Sequence, residues 1–164
     1  MKRTVLTTLL TIASPLSLAL DPACTILVEL SEAKIAAPAW HAVSKLDDFE
    51  TEFLKVDGKF FMKNAGEWMP APFNMDETER KTIDSLRAGE IKVTGCTAAG
   101  EETVQGVRTR AFTYTVEVPG SGIPAVQTRI NVGVDDGLPY RLSSAAGETK
   151  QHVTYRYSGV KTPL

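Results

Sequence analysis

From Ala39 to Tyr157 the chain is a succession of short apolar-polar alternations separated by turn residues, and a period of two repeated so often points to antiparallel β-structure. The pattern is clearest at Phe112, Tyr114, Val116 and Val118, which share one face opposite Thr113, Thr115 and Glu117. Val126, Ile130, Val132 and Val134 repeat it, and Val153, Tyr155 and Tyr157 repeat it again against His152, Thr154 and Arg156. The punctuation is Asp47-Asp48, Asp57-Gly58, Asn64-Ala65-Gly66, Gly100, Gly106, the stretch from Pro119 to Pro124, Asp136-Gly137 and Gly147. These runs predict about eight to ten strands with one apolar and one wet face, curled around the apolar one.

Two helices are expected beside the strands. The first opens at Asp21-Pro22, where Asp can cap and Pro at the first helical position forfeits no hydrogen bond, and it runs to about Ala37 before Pro38. Its apolar face reads Ala23, Ile26, Leu27, Leu30 and Ala33, although Ile26-Leu27-Val28 is also compatible with a strand. The second spans Asp76 to Ala88, with Asp76 as cap, Glu79 at the reciprocal position and Gly89 as terminator. Only Ile83 and Leu86, with Met75 just ahead, give it an apolar side, so it is expected to be held loosely, as a lid or a surface crossover.

The first 19 residues read as a cleavable export signal: Lys2 and Arg3 are basic, Val5 to Leu18 apolar, and Ser17-Leu18-Ala19 a small-x-small cleavage site. That segment is too short and too interrupted to span a membrane. It leaves residues 20–164 as one expected domain in the periplasm of a bacterium or outside the cell. Cys24 and Cys96 are the only cysteines, and two thiols in an oxidising compartment usually pair, so a structural disulfide is expected. Asp21, Pro22 and Ala23 do not fit the aliphatic and small residues that precede a lipid-modified cysteine, and no Cys-x-x-Cys supports a redox role.

Without the signal, 16 basic residues face 20 acidic ones, with no basic run and no aromatic residues interleaved with Lys or Arg, which argues against nucleic acid as a partner. No cofactor, metal or catalytic constellation is indicated. His41 and His152 stand alone at polar or mixed strand positions. The chain has no His-Glu-x-x-His, no Gly-x-Ser-x-Gly and no phosphate-cradling loop. Asp47, Asp48, Glu50 and Glu52 lack the spacing of a calcium loop, and Gly120-Ser121-Gly122 reads as a hairpin loop.

Trp40, Phe60, Phe61, Met62, Trp68, Met69 and Phe73 gather in the first half, around the second helix. They read either as core or, since aromatic and methionine side chains make adaptable apolar walls, as the lining of a site for an acyl chain or lipidated peptide. Phe60-Phe61-Met62 offers apolar groups to both faces of one strand.

Several stretches carry a family likeness. Asp57-Gly58-Lys59-Phe60-Phe61-Met62-Lys63 with Gly66-Glu67-Trp68, then Gly95-Cys96 with Glu101 to Gly106, Asp136-Gly137-Leu138-Pro139-Tyr140-Arg141, and the closing Tyr155-Arg156-Tyr157-Ser158-Gly159-Val160-Lys161 resemble, in order, the small exported proteins of the lipoprotein-carrier (LolA/LolB/LppX-like) superfamily. The resemblance implies a mainly β, α+β fold: a strongly curved antiparallel sheet, an incomplete barrel, covered by an N-terminal helix and a short lid-like helix. It further implies a non-catalytic protein holding a lipid, acyl chain or lipoprotein segment in an apolar concavity, with Ile83 and Leu86 joining the aromatic and methionine residues around the ligand. The alternative is an interaction module of the envelope with a filled core. The carrier itself latches its lid with an arginine on an early strand; this chain has none between Arg3 and Arg80, and so resembles a diverged member.

Overall fold

The computed structural model describes residues 20–163; the export signal expected at residues 1–19 lies outside them. A 3-10 turn at Pro22–Cys24 leads into helix α1 (Thr25–Ala36), followed by strands β1 (Ala39–Leu46), β2 (Phe49–Val56), β3 (Lys59–Asn64) and β4 (Glu67–Pro70). Helix α2 (Met75–Ala88) comes next, then β5 (Lys92–Val104), β6 (Val107–Glu117), β7 (Val126–Gly133), β8 (Pro139–Ala146) and β9 (Thr149–Arg156). All strand pairs are antiparallel, in the order β4-β3-β2-β1-β9-β8-β7-β6-β5. The sheet does not close, because β4 and β5 each leave an edge. Nine antiparallel strands among the described residues agree with the eight to ten that the alternation predicts.

Gly100 departs from expectation. It lies inside β5 rather than at a turn, at φ +91° beside a register shift between Ala98 and Glu101. Glycine tolerates that conformation without a Cβ penalty, so the extra residue is absorbed as a bulge that bends the long strand.

The first helix starts as the sequence indicates: the Asp21 side chain accepts from the Ala23 amide and Pro22 opens the turn. Its buried residues differ from the expected face. Cys24, Leu27, Val28, Leu30 and Ser31 are buried, whereas Ala23 is exposed, because the first turn is 3-10 and the helix touches both the sheet and α2. The cap of α2 also shifts. Asn74, not Asp76, accepts from the Glu77 amide, and Asp76 is thereby free to pair elsewhere. Gly89, at φ +74°, terminates α2 as expected and donates to Leu86 and Ser85 carbonyls.

Both helices lie on one face of the sheet. One cluster packs Leu27, Val28 and Leu30 of α1 and Ile83 and Leu86 of α2 on Val93, Tyr114, Ile130 and Val132. A second gathers Trp40, Ala42 and Val153 with Ala37, Phe53, Phe60, Met75 and Tyr155. The disulfide expected between Cys24 and Cys96 is present, with Cα atoms 5.3 Å apart, and fixes the start of α1 to β5. No helix among the described residues is long and apolar enough to cross a membrane.

Candidate functional site

Cross-strand register decides which side chains share a face. Trp40 stands opposite Lys55 and Ala42 opposite Phe53; Lys55 in turn faces Phe60, and Phe53 faces Met62. This row extends to Met69 and looks toward the helices, where the Trp40 ring packs on Phe60 and Tyr155 at centroid distances of 6.5 and 6.3 Å. Phe73, just ahead of α2, packs on Phe53. Phe61 and Trp68 belong to the opposite face: Phe61 faces Leu54, and Trp68 packs edge-on against His41 with ring centroids 5.8 Å apart. The aromatic group singled out in the sequence is therefore split by the sheet. Trp40, Phe60, Met62, Met69 and Phe73 lie on the helix side with Ile83 and Leu86, whereas Phe61 and Trp68 cannot reach the space under the helices.

A cavity of about 230 Å³ lies between the helices and the sheet. Leu27 and Leu30 of α1, Leu86 of α2, and Tyr114, Ile130 and Leu142 of the sheet wall it. Of the residues expected to line a site, only Leu86 does so. Trp40 and Phe60 fill the neighbouring cluster, in which the Trp40 indole N–H finds no hydrogen-bond partner among the described residues, and Ile83 packs in the cluster under the helices. The cavity instead uses β6 to β8, whose alternation is visible in the sequence as Tyr114, Val116 and Ile130 but carries no mark of which face the helices cover. A larger depression of about 340 Å³ between α1 and α2 combines Ile35, Ala36 and Ile83 with the charged Glu32, Arg80, Asp84 and Arg87, and so has a mixed wall.

One end of the cavity is polar. Lys34 of α1 donates to Glu79 of α2 at 2.5 Å, and its Nζ sits 5.5 Å from the centre of the Tyr155 ring. Burial works against the charge of Lys34, but Tyr155, Glu79 and Asp76 outweigh it and raise the lysine above its ordinary value. Nearby, Lys55 of β2 donates to the Ile35 carbonyl at 2.6 Å and to Asp76 at 2.7 Å, joining the sheet to both helices. With Arg87–Glu32 as a third pair, α2 is tied by charge as well as by its thin apolar side, more firmly than its sequence indicates.

Two carboxylates organise the other face. Glu52 accepts from Lys63 at 2.7 Å and bonds His41 Nε2 at 2.8 Å; the Lys63 hydrogen bond lowers its pKa, burial opposes, and His41 assists. Arg156 donates to His41 Nδ1, so that nitrogen holds the lone pair and Nε2 carries the proton toward Glu52. Glu102 accepts from Arg129, Asn131 and Arg141 at 2.7, 2.9 and 2.7 Å, and these bonds bring its pKa down to about 2. Asn131, 1% exposed, closes this network by donating to Thr109.

No protein-family model and no curated protein matches the sequence. Solved structures do match the fold. LprF from Mycobacterium bovis superposes with a TM-score of 0.57 at 13% identity, over 89% of this chain and 98% of that one. The Mycobacterium tuberculosis lipoprotein LppX gives 0.56 at 12% identity, over 85% and 97%. This chain has the LppX-like fold. At such identities the LppX-like likeness covers the architecture, an open curved sheet with helices on its inner face, and nearly the full length of both neighbours.

Proposed function

We propose that this protein is a non-catalytic binding protein of the bacterial periplasm or exterior that holds a lipid, acyl chain or lipoprotein segment between its sheet and its helices. The observation that carries the proposal is the cavity of about 230 Å³ walled by Leu27, Leu30, Leu86, Tyr114, Ile130 and Leu142. Each methylene buried there contributes about 0.8 kcal/mol before ordering costs. The resemblance of the sequence to lipoprotein-carrier-like proteins supports the same function, as does the LppX-like fold on which it would be built.

Two further features support the non-catalytic and exported parts of the proposal. Glu52 and Glu102 are held by cationic and amide partners that lower their pKa values, which makes both weak general bases. The signal pattern over residues 1–19, removed to leave a single domain of residues 20–164, agrees with a disulfide, a bond that persists in oxidising compartments.

Native mass spectrometry of the mature protein, extracted gently from its own envelope and compared with refolded protein, tests this. A lipid-sized adduct present only before denaturation is the expected result, and the bare mass in both samples would overturn it. A second function, an interaction module of the envelope, draws on the outer edge of β5, which pairs with no strand among the described residues over Lys92–Val104. A bare mass together with a co-purifying protein would favour it.

A further inference from the structure

An apolar chamber has no need of a cation, yet Lys34 sits in the wall of this one. Its side chain is 15% exposed and that of its partner Glu79 is 22% exposed. An ammonium group offers three hydrogens, and Glu79 is its one hydrogen-bond partner among the described residues. Asp76 and Tyr155 are the other titratable groups that act on it. Glu79 is contributed by α2, the helix with the smaller apolar anchorage, and lines the same cavity as Lys34 and Tyr155.

We infer that the ligand is an anionic amphiphile with one acyl chain, whose carboxylate or phosphate head bonds Lys34 Nζ while its chain lies along Leu30, Tyr114, Ile130 and Leu142. The inference rests on the acyl-binding function proposed above and gives that ligand its chemical class. Glu79 is the internal stand-in for the head. When the head arrives, two anions compete for one cation, and Glu79, the partner nearer to water, gives way. Charge-assisted hydrogen bonds are stronger than neutral ones, and a low-dielectric wall strengthens them further. Leaving Lys34 also removes one of the three ion pairs that hold α2, so the head loosens the helix that covers the chain. Volume sets the chain number. A cavity of about 150 Å³ takes one benzene, so 230 Å³ takes about nine carbon atoms, enough for a short single chain and not for two.

Calorimetric titration of decanoic acid, decyl phosphate and methyl decanoate at pH 8, below their micelle concentrations, tests the inference on the intact mature protein. The acid or the phosphate is expected to bind about tenfold or more tightly than the ester, and the tighter of the two identifies the head. Lys34→Met should erase that preference and keep ester binding, Lys34→Arg should retain it, and Glu79→Gln should tighten binding of the anions alone. Equal affinity for anion and ester in the unaltered protein, or a preference that survives in a folded Lys34→Met variant, would overturn the inference and leave acyl binding standing. Binding of none of the three probes would overturn both.

Discussion

Lys55 and Asp76 form an ion pair of 2.7 Å in which the lysine, on β2, is 4% exposed and the aspartate sits in the first turn of α2. The same Nζ donates to the Ile35 carbonyl near the end of α1, so a single side chain joins β2 to both helices. No arginine stands between Arg3 and Arg80, and on this early strand a lysine makes the tie.

Removing one partner of such a pair leaves a buried charge unmatched. Asp76→Asn is therefore expected to destabilise the fold by about 3–5 kcal/mol, whereas Lys55→Met combined with Asp76→Leu should cost much less than the sum of the single changes. Guanidinium denaturation of the four proteins of this cycle measures the coupling.

Glu102 makes stability depend on acid. Hydrogen bonds from Arg129, Asn131 and Arg141 lower its folded pKa from 4.5 to about 2, so their stabilisation is complete above 4.5 and is lost as pH falls toward 2. Glu102→Gln should be less stable than the parent at pH 7 and should converge on it near pH 2. Urea denaturation at pH 7, 4 and 2 tests this; a gap of constant size would show that Glu102 does not titrate as stated.

The disulfide closes a separation of 72 residues between the start of α1 and β5. Replacing both cysteines by serine should lower stability by about 4 kcal/mol in the chain-entropy account. Thermal unfolding of the variant beside the oxidised parent reads the difference.

Trp40 is 2% exposed and carries an indole N–H with no partner among the described residues. Trp40→Phe keeps a ring against Phe60 and Tyr155 while removing the orphan donor, whose burial costs about 1–3 kcal/mol, so the loss of packing and the relief should nearly cancel. Trp40→Ala should cost about 3–5 kcal/mol. Chemical denaturation distinguishes them.

Ligand binding should follow the faces of the sheet. Ile130→Phe fills part of the cavity and is expected to weaken binding of a fluorescent acyl probe, at an over-packing cost of about 1–3 kcal/mol. Trp68→Ala, on the far face beside His41, should leave probe affinity unchanged. A loss of affinity in Trp68→Ala with none in Ile130→Phe would move the site to the other face.

Much of this arrangement is local and therefore legible. Strands end where Asp57-Gly58 or Ala65-Gly66 supply left-handed backbone, helix α1 begins at a proline that sacrifices no hydrogen bond, and two cysteines have only each other. Alternation fixes which residues of one strand share a face, because successive side chains point oppositely. The tie through Lys55 and the placeholder Glu79 are not local: their partners lie 21 and 45 residues away and become neighbours only once α2 lies beside α1 over the sheet.

Which face the helices cover is likewise a tertiary decision. Phe60 and Phe61 are equally apolar, so β3 alone does not distinguish inside from outside; pairing with β2 sends Phe60 toward Lys55 and the helices and Phe61 toward Leu54. By itself the sequence determined the alternation, most of the turns, the first helix start and the disulfide, because these follow from local backbone preferences or, for the cysteines, from there being only two. Only the tertiary structure decided that the cavity belongs to Tyr114, Ile130 and Leu142 rather than to the Trp40 cluster, because a cavity is the space left when distant elements pack, and no single strand encodes that space.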